Sequence, residues 1–217
     1  MGLVIMDPQT SKNLGGVGAL LLFIGPLLGF VPYVGVVGGL IGLVGFILVL
    51  VALKSFADHY KEASIFNNSL YGFILSIVGG VVFVAALFVT LVSFFTNVLG
   101  IELATAFSDP TAFSNIDWAE AILWENLAAH VGALLGSFVI LFIFVVVAAI
   151  FYRKSLTTLA EKTGVGLFST AGLLLLIGAV LTIILIGFVL IWIAFLLVAI
   201  AFFSMKPTAV EPPPSPS

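Results

Sequence analysis

Charged residues divide this chain into long apolar runs. Between Lys12 and Lys54 lie 41 residues without a charge, between Glu62 and Glu102 39, between Glu125 and Arg153 27, and between Lys162 and Lys206 43. A hydrocarbon layer about 30 Å thick is crossed by roughly 20 apolar residues of helix. As one helix the first run would be about 60 Å long, twice that thickness, so it folds back. Pro32 and Gly35, within Phe30-Val31-Pro32-Tyr33-Val34-Gly35, supply the turn chemistry for the break. The last run is likewise flanked by lysines, and its candidate turn lies near Gly187, in Leu185-Ile186-Gly187.

The run 63–101 could hold one long tilted helix or two short ones. Lysine and arginine prefer the cytoplasmic side of a membrane, and that preference decides the count. One crossing here and one at about 127–152 return Arg153, Lys154 and Lys162 to the side that carries Lys54 and Lys61, whereas two would export all three. The pattern therefore predicts an all-α integral membrane protein with six transmembrane helices, roughly 14–31, 35–54, 68–96, 127–152, 166–185 and 188–205. The organisation expected is a cytoplasmic N-terminal tail (1–13), a transmembrane domain (14–206) with an outer segment (97–126), and a disordered Pro/Ser-rich tail (207–217). Both termini fall in the cytoplasm. All seven basic residues then lie inside. The outer segment holds only Glu102, Asp109, Asp117, Glu120 and Glu125, which supplies the asymmetry behind the net charge of −3. Tyr33, Trp118, Trp124 and Trp192 fall near the outer interface and Tyr60, Tyr71 and Tyr152 near the inner one, as aromatic belts require. The formal glycosylation triplet Asn67-Asn68-Ser69 lies inside in this arrangement and stays unmodified.

Composition sharpens the class. The chain is 62% hydrophobic and 8% charged, against about 25% charged residues in soluble domains, too few to build a charged shell around a core. Absence of cysteine excludes disulfides, thiolate metal sites and thiol catalysis. The first apolar stretch is too long for a signal peptide and lacks a cleavage pattern, so it is retained as structure. Met6 stands where a myristoylation signal needs Ser or Thr. The isolated lysines at helix ends form no patch suited to nucleic acid.

An internal repeat is visible. A shift of 100 positions superimposes Lys54-Ser55-Phe56 on Lys154-Ser155-Leu156 and pairs Ser69 with Ser169, Gly72 with Gly172, Leu75 with Leu175 and Ile77 with Ile177. Gly35 stands as far before Lys54 as Gly187 before Lys206. The six helices thus read as three hairpins, each opened by a polar residue and a glycine and closed by Lys or Arg. These would be parallel rather than inverted repeats.

Candidate chemistry is sparse. Ionisable residues inside a membrane mark proton, ion or substrate paths, and none lies within a helix core here. His130, about one turn inside the fourth helix, could pair with Glu125 or Asp117 as a proton or metal site. It reads instead as an interfacial histidine, solvated or bonded to neighbouring backbone, since one histidine with scattered carboxylates lacks ligand spacing. Asp58 and His59 read as solvated connector residues. Ser114-Asn115-Ile116-Asp117 resembles a capping box opening a helix with Trp118, Ile122, Leu123 and Trp124, expected to lie on the outer leaflet. The connectors KSFADHYKEASIF and RKSLTTLAEKTG read as amphipathic helical extensions. Glycines at four-residue spacing (Gly25/Gly29, Gly35/Gly39, Gly38/Gly42, Gly132/Gly136) let helices approach closely, and Gly25-Pro26 is expected to kink the first helix.

The segments SKNLGGVGALLLFIG, ALKSFADHYKE with IFNNSLYG, and FYRKSLTTLAEKTGVG with AGLLLLIGAVL resemble an uncharacterised, mainly archaeal family of multi-pass membrane proteins, domain of unknown function 996. The likeness covers most of 11–207 and is weakest in 97–126 and the tail. The resemblance implies the cell (plasma) membrane of an archaeon, and carries over no catalytic, cofactor-binding or metal residue. The expectation is a structural, scaffolding or assembly bundle that is not an enzyme and needs no cofactor. Its partners would be membrane lipids, further copies of itself or an unidentified membrane protein. The alternative is a channel or carrier for a small neutral or hydrophobic solute, lined by glycines with Ser76, Thr90, Ser93, Ser137 and Thr182. A lipid-modifying enzyme would need a reactive cluster near the interface, and the sequence displays no convincing one.

Overall fold

The computed structural model describes residues 6–29, 35–114 and 116–206. Among these every regular element is helical: α1 Pro8–Leu28, α2 Gly35–His59, α3 Ala63–Asn97, α4 Leu103–Ser108, α5 Trp118–Ala121, α6 Trp124–Thr163, α7 Leu167–Leu181 and α8 Ile186–Ser204. Six of them (α1, α2, α3, α6, α7 and α8) are long and apolar enough to cross a membrane. The run 63–101 holds one long helix, α3, of 35 residues, as the charge pattern predicts. The expected break at 30–35 and tail at 207–217 fall at or outside the edges of the described residues.

Helix bounds differ from the sequence reading chiefly at polar ends. α1 starts at Pro8, taking in part of the expected tail, because proline at a first helical position forgoes only an N–H that would be unpaired anyway. The connector 153–164 is a helical continuation, α6 running to Thr163 where Gly164 at φ +70° ends it. The connector 54–66, in contrast, is helical to His59, breaks at 60–62 with Lys61 at φ +51°, and resumes in α3 at Ala63. Between α7 and α8 a 3-10 turn at Thr182–Ile184 leads to Leu185 at φ +65°, one residue before α8. The turn thus falls at 182–185, a few residues before the expected position, and Gly187 is the second residue of α8.

The chain forms two compact units, one from the described parts of Met1–Phe73 and Val146–Ser217, the other from Ile74–Val145. In the first, Phe56, Ile65, Leu159, Phe168 and Phe202 are fully buried. Phe168 meets Phe202 edge-on at 4.9 Å, and Phe56 lies over Phe202 at 6.1 Å. The helices of this unit meet through glycine. A Cβ added at Gly18 would lie 2.6 Å from the Gly45 carbonyl oxygen, and one at Gly45 2.6 Å from that of Gly18. Gly38 stands in the same relation to Gly25, one step further along the α1–α2 contact. The α7–α8 contact repeats the device, with Gly187 against the Gly178 carbonyl. Gly15 receives the Phe202 ring and Gly72 the Tyr152 ring. In hydrocarbon no hydrophobic force drives helices together, so such close backbone approach supplies the dispersion contact.

Pro26 stands inside α1 and removes the N–H that the preceding turn would use. In that turn Trp192 of α8 donates its Nε1–H to the Phe23 carbonyl at 2.7 Å, while its ring stacks on Phe23 at 4.5 Å. The bond ties α8 to the turn of α1 that precedes Pro26, while the carbonyl that Pro26 leaves without its helical donor is that of Leu22.

In the second unit the α3 and α6 segments pair antiparallel. Gly79 lies against Phe144, and Phe83 packs on Phe138 with ring centroids 5.0 Å apart. Most large side chains here are exposed, among them Val84, Phe88, Leu135 and Val139, as lipid-facing surfaces are.

Candidate functional site

Polar side chains gather at two places. The first lies in the first unit, beside the lysine-bearing helix ends. Ser11 of α1 donates to Ser55 of α2 at 2.6 Å, and Ser69 of α3 donates to Ser155 of α6 at 2.7 Å. Ser155 passes its own proton to the Ile65 carbonyl at 2.5 Å. All four serines are buried. Ser55 and Ser155 are the residues that the 100-position shift superimposes, and each accepts from a serine near the start of the preceding long helix. The Lys12 ammonium donates to the Met205 carbonyl at 2.6 Å, at the C-terminus of α8, where backbone carbonyls lack helical donors.

Around these ends the charges are solvated. Lys54 pairs with Asp58 at 2.6 Å and Lys162 with Glu62 at 3.6 Å. The Ser64 hydroxyl, helped by Lys162, holds the Glu62 carboxyl below its ordinary range. His59 is exposed and meets Tyr60 edge-on at 4.9 Å. Asp58 and His59 are thus connector residues, and Asp58 is engaged by Lys54.

The second place is in the second unit, where α3 ends and α6 begins. Ser93 Oγ lies 3.1 Å from His130 Nε2. His130 Nδ1 lies 3.2 Å from the Asn126 carbonyl oxygen, one turn back in α6. The Asn97 side-chain amide donates to Ser93 Oγ at 3.0 Å, and Phe94 stands edge-on to the imidazole at 5.8 Å. A carbonyl oxygen can only accept, so Nδ1 carries the proton of the neutral ring and Nε2 is left as an acceptor. The Ser93 hydroxyl therefore donates to it.

The sequence reading is right about the backbone bond of His130 and misses Ser93, Asn97 and Asn126 as its neighbours. The partners it weighs lie elsewhere. Asp117 caps α5, accepting from the Ala119 and Glu120 amides at 3.0 and 3.2 Å, and Glu125 is exposed in the first turn of α6. This also corrects the capping box. The cap is Asp117 rather than Ser114, because its side chain reaches the amides two and three residues on, and α5 is only 4 residues long. Asn115 lies outside the described residues. Asp109 accepts from the Thr111 hydroxyl and amide, which holds its carboxyl below the ordinary range. Trp118, Ile122 and Trp124 are exposed, as an interfacial segment would present them.

Among the proposed channel-lining residues, Ser137 and Thr182 bond to carbonyls of their own helical turns, Ala133 and Ala179. Among the described residues no group of three or more His, Asp and Glu could hold a metal ion.

Known proteins place the chain without assigning it an activity. Residues 41–196 match the family described as "Protein of unknown function (DUF996)". An uncharacterized protein of the archaeon Methanocaldococcus jannaschii, MJ1644, is 28% identical over 203 residues, which cover 94% of this chain and 96% of the relative. No solved structure matches. The chain belongs to the DUF996 family.

Proposed function

We propose that this family member is a structural bundle of the cell membrane: three helical hairpins with both termini in the cytoplasm. It would serve assembly or scaffolding with lipids, a second copy or another membrane protein. The observation that carries this reading is the neutrality of the apolar helices. The apolar stretches 35–53, 68–96, 127–152, 167–184 and 186–204 contain no Lys, Arg, Asp or Glu, and transport of ions or protons ordinarily leaves such residues in the bundle interior. Among the described residues no buried side-chain nitrogen or oxygen lacks a hydrogen-bond partner. Buried polar groups of the first unit join helices, as the two serine pairs do, and glycine contacts set the spacing.

Matching serine pairs in the first two hairpins support the repeat. The basic residues cluster at the helix ends that would face the cytoplasm, which supports the orientation. The deciding experiment is solute flux in liposomes reconstituted with the full chain, using urea and glycerol as neutral probes. Leak equal to that of protein-free liposomes is the expected result. Saturable flux above it would replace the scaffold with a carrier or channel.

A further inference from the structure

Serine and threonine in membrane helices commonly satisfy themselves by donating to a carbonyl one turn back. Thr96, Ser137 and Ser204 do so here, to Val92, Ala133 and Ile200. Ser93 does not. Its Oγ is 3.1 Å from His130 Nε2, and one of its acceptor positions is taken by the Asn97 amide at 3.0 Å. His130 is held in turn through Nδ1 by the Asn126 carbonyl at 3.2 Å. A hydroxyl on a base that a third group orients is the arrangement of an activated serine nucleophile. A backbone carbonyl stands here where a carboxylate serves in Ser-His-Asp enzymes.

We propose that Ser93 and His130 form a nucleophile–base pair for acyl transfer from a hydrophobic carboxylic ester. The substrate class follows from the location. The apolar run of α3 ends at Thr96 and Asn97, and His130 lies in the second turn of α6. The pair thus lies where the apolar surfaces of the two helices give way to polar residues, with both side chains partly exposed. An amphiphile lying with its chain along Phe94 and the lipid-facing aliphatic residues would bring its ester group to that depth.

In the first step Ser93 Oγ attacks the ester carbonyl carbon and its proton passes to His130 Nε2. The tetrahedral intermediate then collapses, the carbonyl–alkoxy bond breaks, and the leaving alcohol takes the proton from Nε2. Water repeats the sequence on the acyl-serine, releasing the carboxylic acid and restoring the hydroxyl. The Asn97 amide, already directed at Oγ, is the side chain placed to donate to the developing oxyanion. This inference goes beyond the structural role, does not rest on it, and reverses the expectation of a chain without catalysis.

The test is covalent labelling of the full chain in lipid nanodiscs with an alkyl fluorophosphonate, followed by peptide mass spectrometry. The expected result is a single phosphonyl adduct on Ser93, absent in Ser93→Ala. Labelling in His130→Gln should be slower by about 100-fold or more, the usual contribution of a general base, at an unchanged thermal midpoint. A medium-chain p-nitrophenyl ester should be hydrolysed by the wild type with the same dependence on both residues. No adduct on Ser93 in the wild type, adducts spread over several serines, or a His130→Gln rate equal to wild type would each overturn the proposal. If His130→Gln does not fold, Asn97→Ala replaces it. Slower ester hydrolysis with Ser93 still labelled supports the assignment, and unchanged hydrolysis refutes it.

Discussion

Ser155 accepts the Ser69 hydroxyl proton at 2.7 Å while giving its own to the Ile65 carbonyl at 2.5 Å, and no part of it is exposed. One oxygen therefore joins α6 to α3 twice. Interhelical hydrogen bonds in membranes are worth about 0.6 kcal/mol on average and up to about 1.7 kcal/mol. Because Ser155→Ala strands the Ser69 hydroxyl in a dry site, its cost should lie at the upper end, about 1–2 kcal/mol. Thermal unfolding in a fixed detergent should show a midpoint lower by several degrees. Ser69→Ala should cost less, since Ser155 keeps its bond to Ile65. Equal effects would contradict this assignment of donors.

Glycines in this chain fall into two classes that substitution should separate. Gly45→Ala would place a methyl 2.6 Å from the Gly18 carbonyl oxygen, a contact between backbones that no side-chain movement relieves. Overpacking of this kind costs about 1–3 kcal/mol. Gly39, Gly132 and Gly136 have nothing within 4 Å of an added Cβ. Alanine there should be neutral or stabilising by up to about 1 kcal/mol, the usual gain over glycine inside a helix. The comparison needs only midpoints of the single variants under identical conditions.

Much of this architecture is legible in the sequence, because its cause is local. Apolar length and the spacing of lysines give the six long helices, and the parity of charge resolves 63–101 into one. Gly187 points to the last turn only approximately, because it lies just inside α8, where a residue without a side chain fits against the Gly178 carbonyl. The polar clusters are not legible in the same way. Ser55, Ser155 and Ser69 all stand out through the repeat, yet nothing in the sequence pairs Ser69 with Ser155 or marks Ser11 until the helices are brought together. Ser93 and His130 are 37 residues apart, and the carboxylates nearest His130 in sequence draw attention first. The register would have found the pair: Gly79 against Phe144 and Phe83 against Phe138, continued along α3 and α6, bring Ser93 opposite His130.

Trp192 tests how far one side-chain bond ties α8 to α1. Trp192→Phe keeps an aromatic ring on Phe23 but removes the donor to its carbonyl. The expected loss is about 1 kcal/mol, larger than for substitution at Trp124, which is exposed. Chemical or thermal unfolding of the two variants side by side checks the difference. If Trp124→Phe proves the more damaging, the bond to Phe23 contributes nothing.

Glu62 gives the fold a pH dependence of known sign. Its carboxyl is held below its ordinary value of 4.5, first by the Ser64 hydroxyl and then by Lys162. Between the lowered value and 4.5 the folded chain binds fewer protons at this site than the unfolded chain does. Its stabilisation is therefore complete above 4.5 and is lost as pH falls through the lowered value. The midpoint of the wild type should drop over that interval relative to Glu62→Gln. The difference should shrink in high salt, which screens Lys162 at this exposed site.

Orientation can be read directly because the chain has no cysteine, so any introduced thiol is unique. Glu161 lies near the end of α6 and Ser108 at the end of α4, and both are exposed. If both termini lie in the cytoplasm, as proposed, Ser108→Cys faces outward. It should react with a membrane-impermeant maleimide in intact cells. Glu161→Cys should react only after permeabilisation, because Arg153, Lys154 and Lys162 hold that end of α6 on the cytoplasmic side. The opposite pattern would place every basic residue outside and remove the argument by which 63–101 was assigned a single crossing. Reaction of both sites in intact cells would mean that α6 does not cross the bilayer at all, although its 40 residues exceed the length a crossing needs.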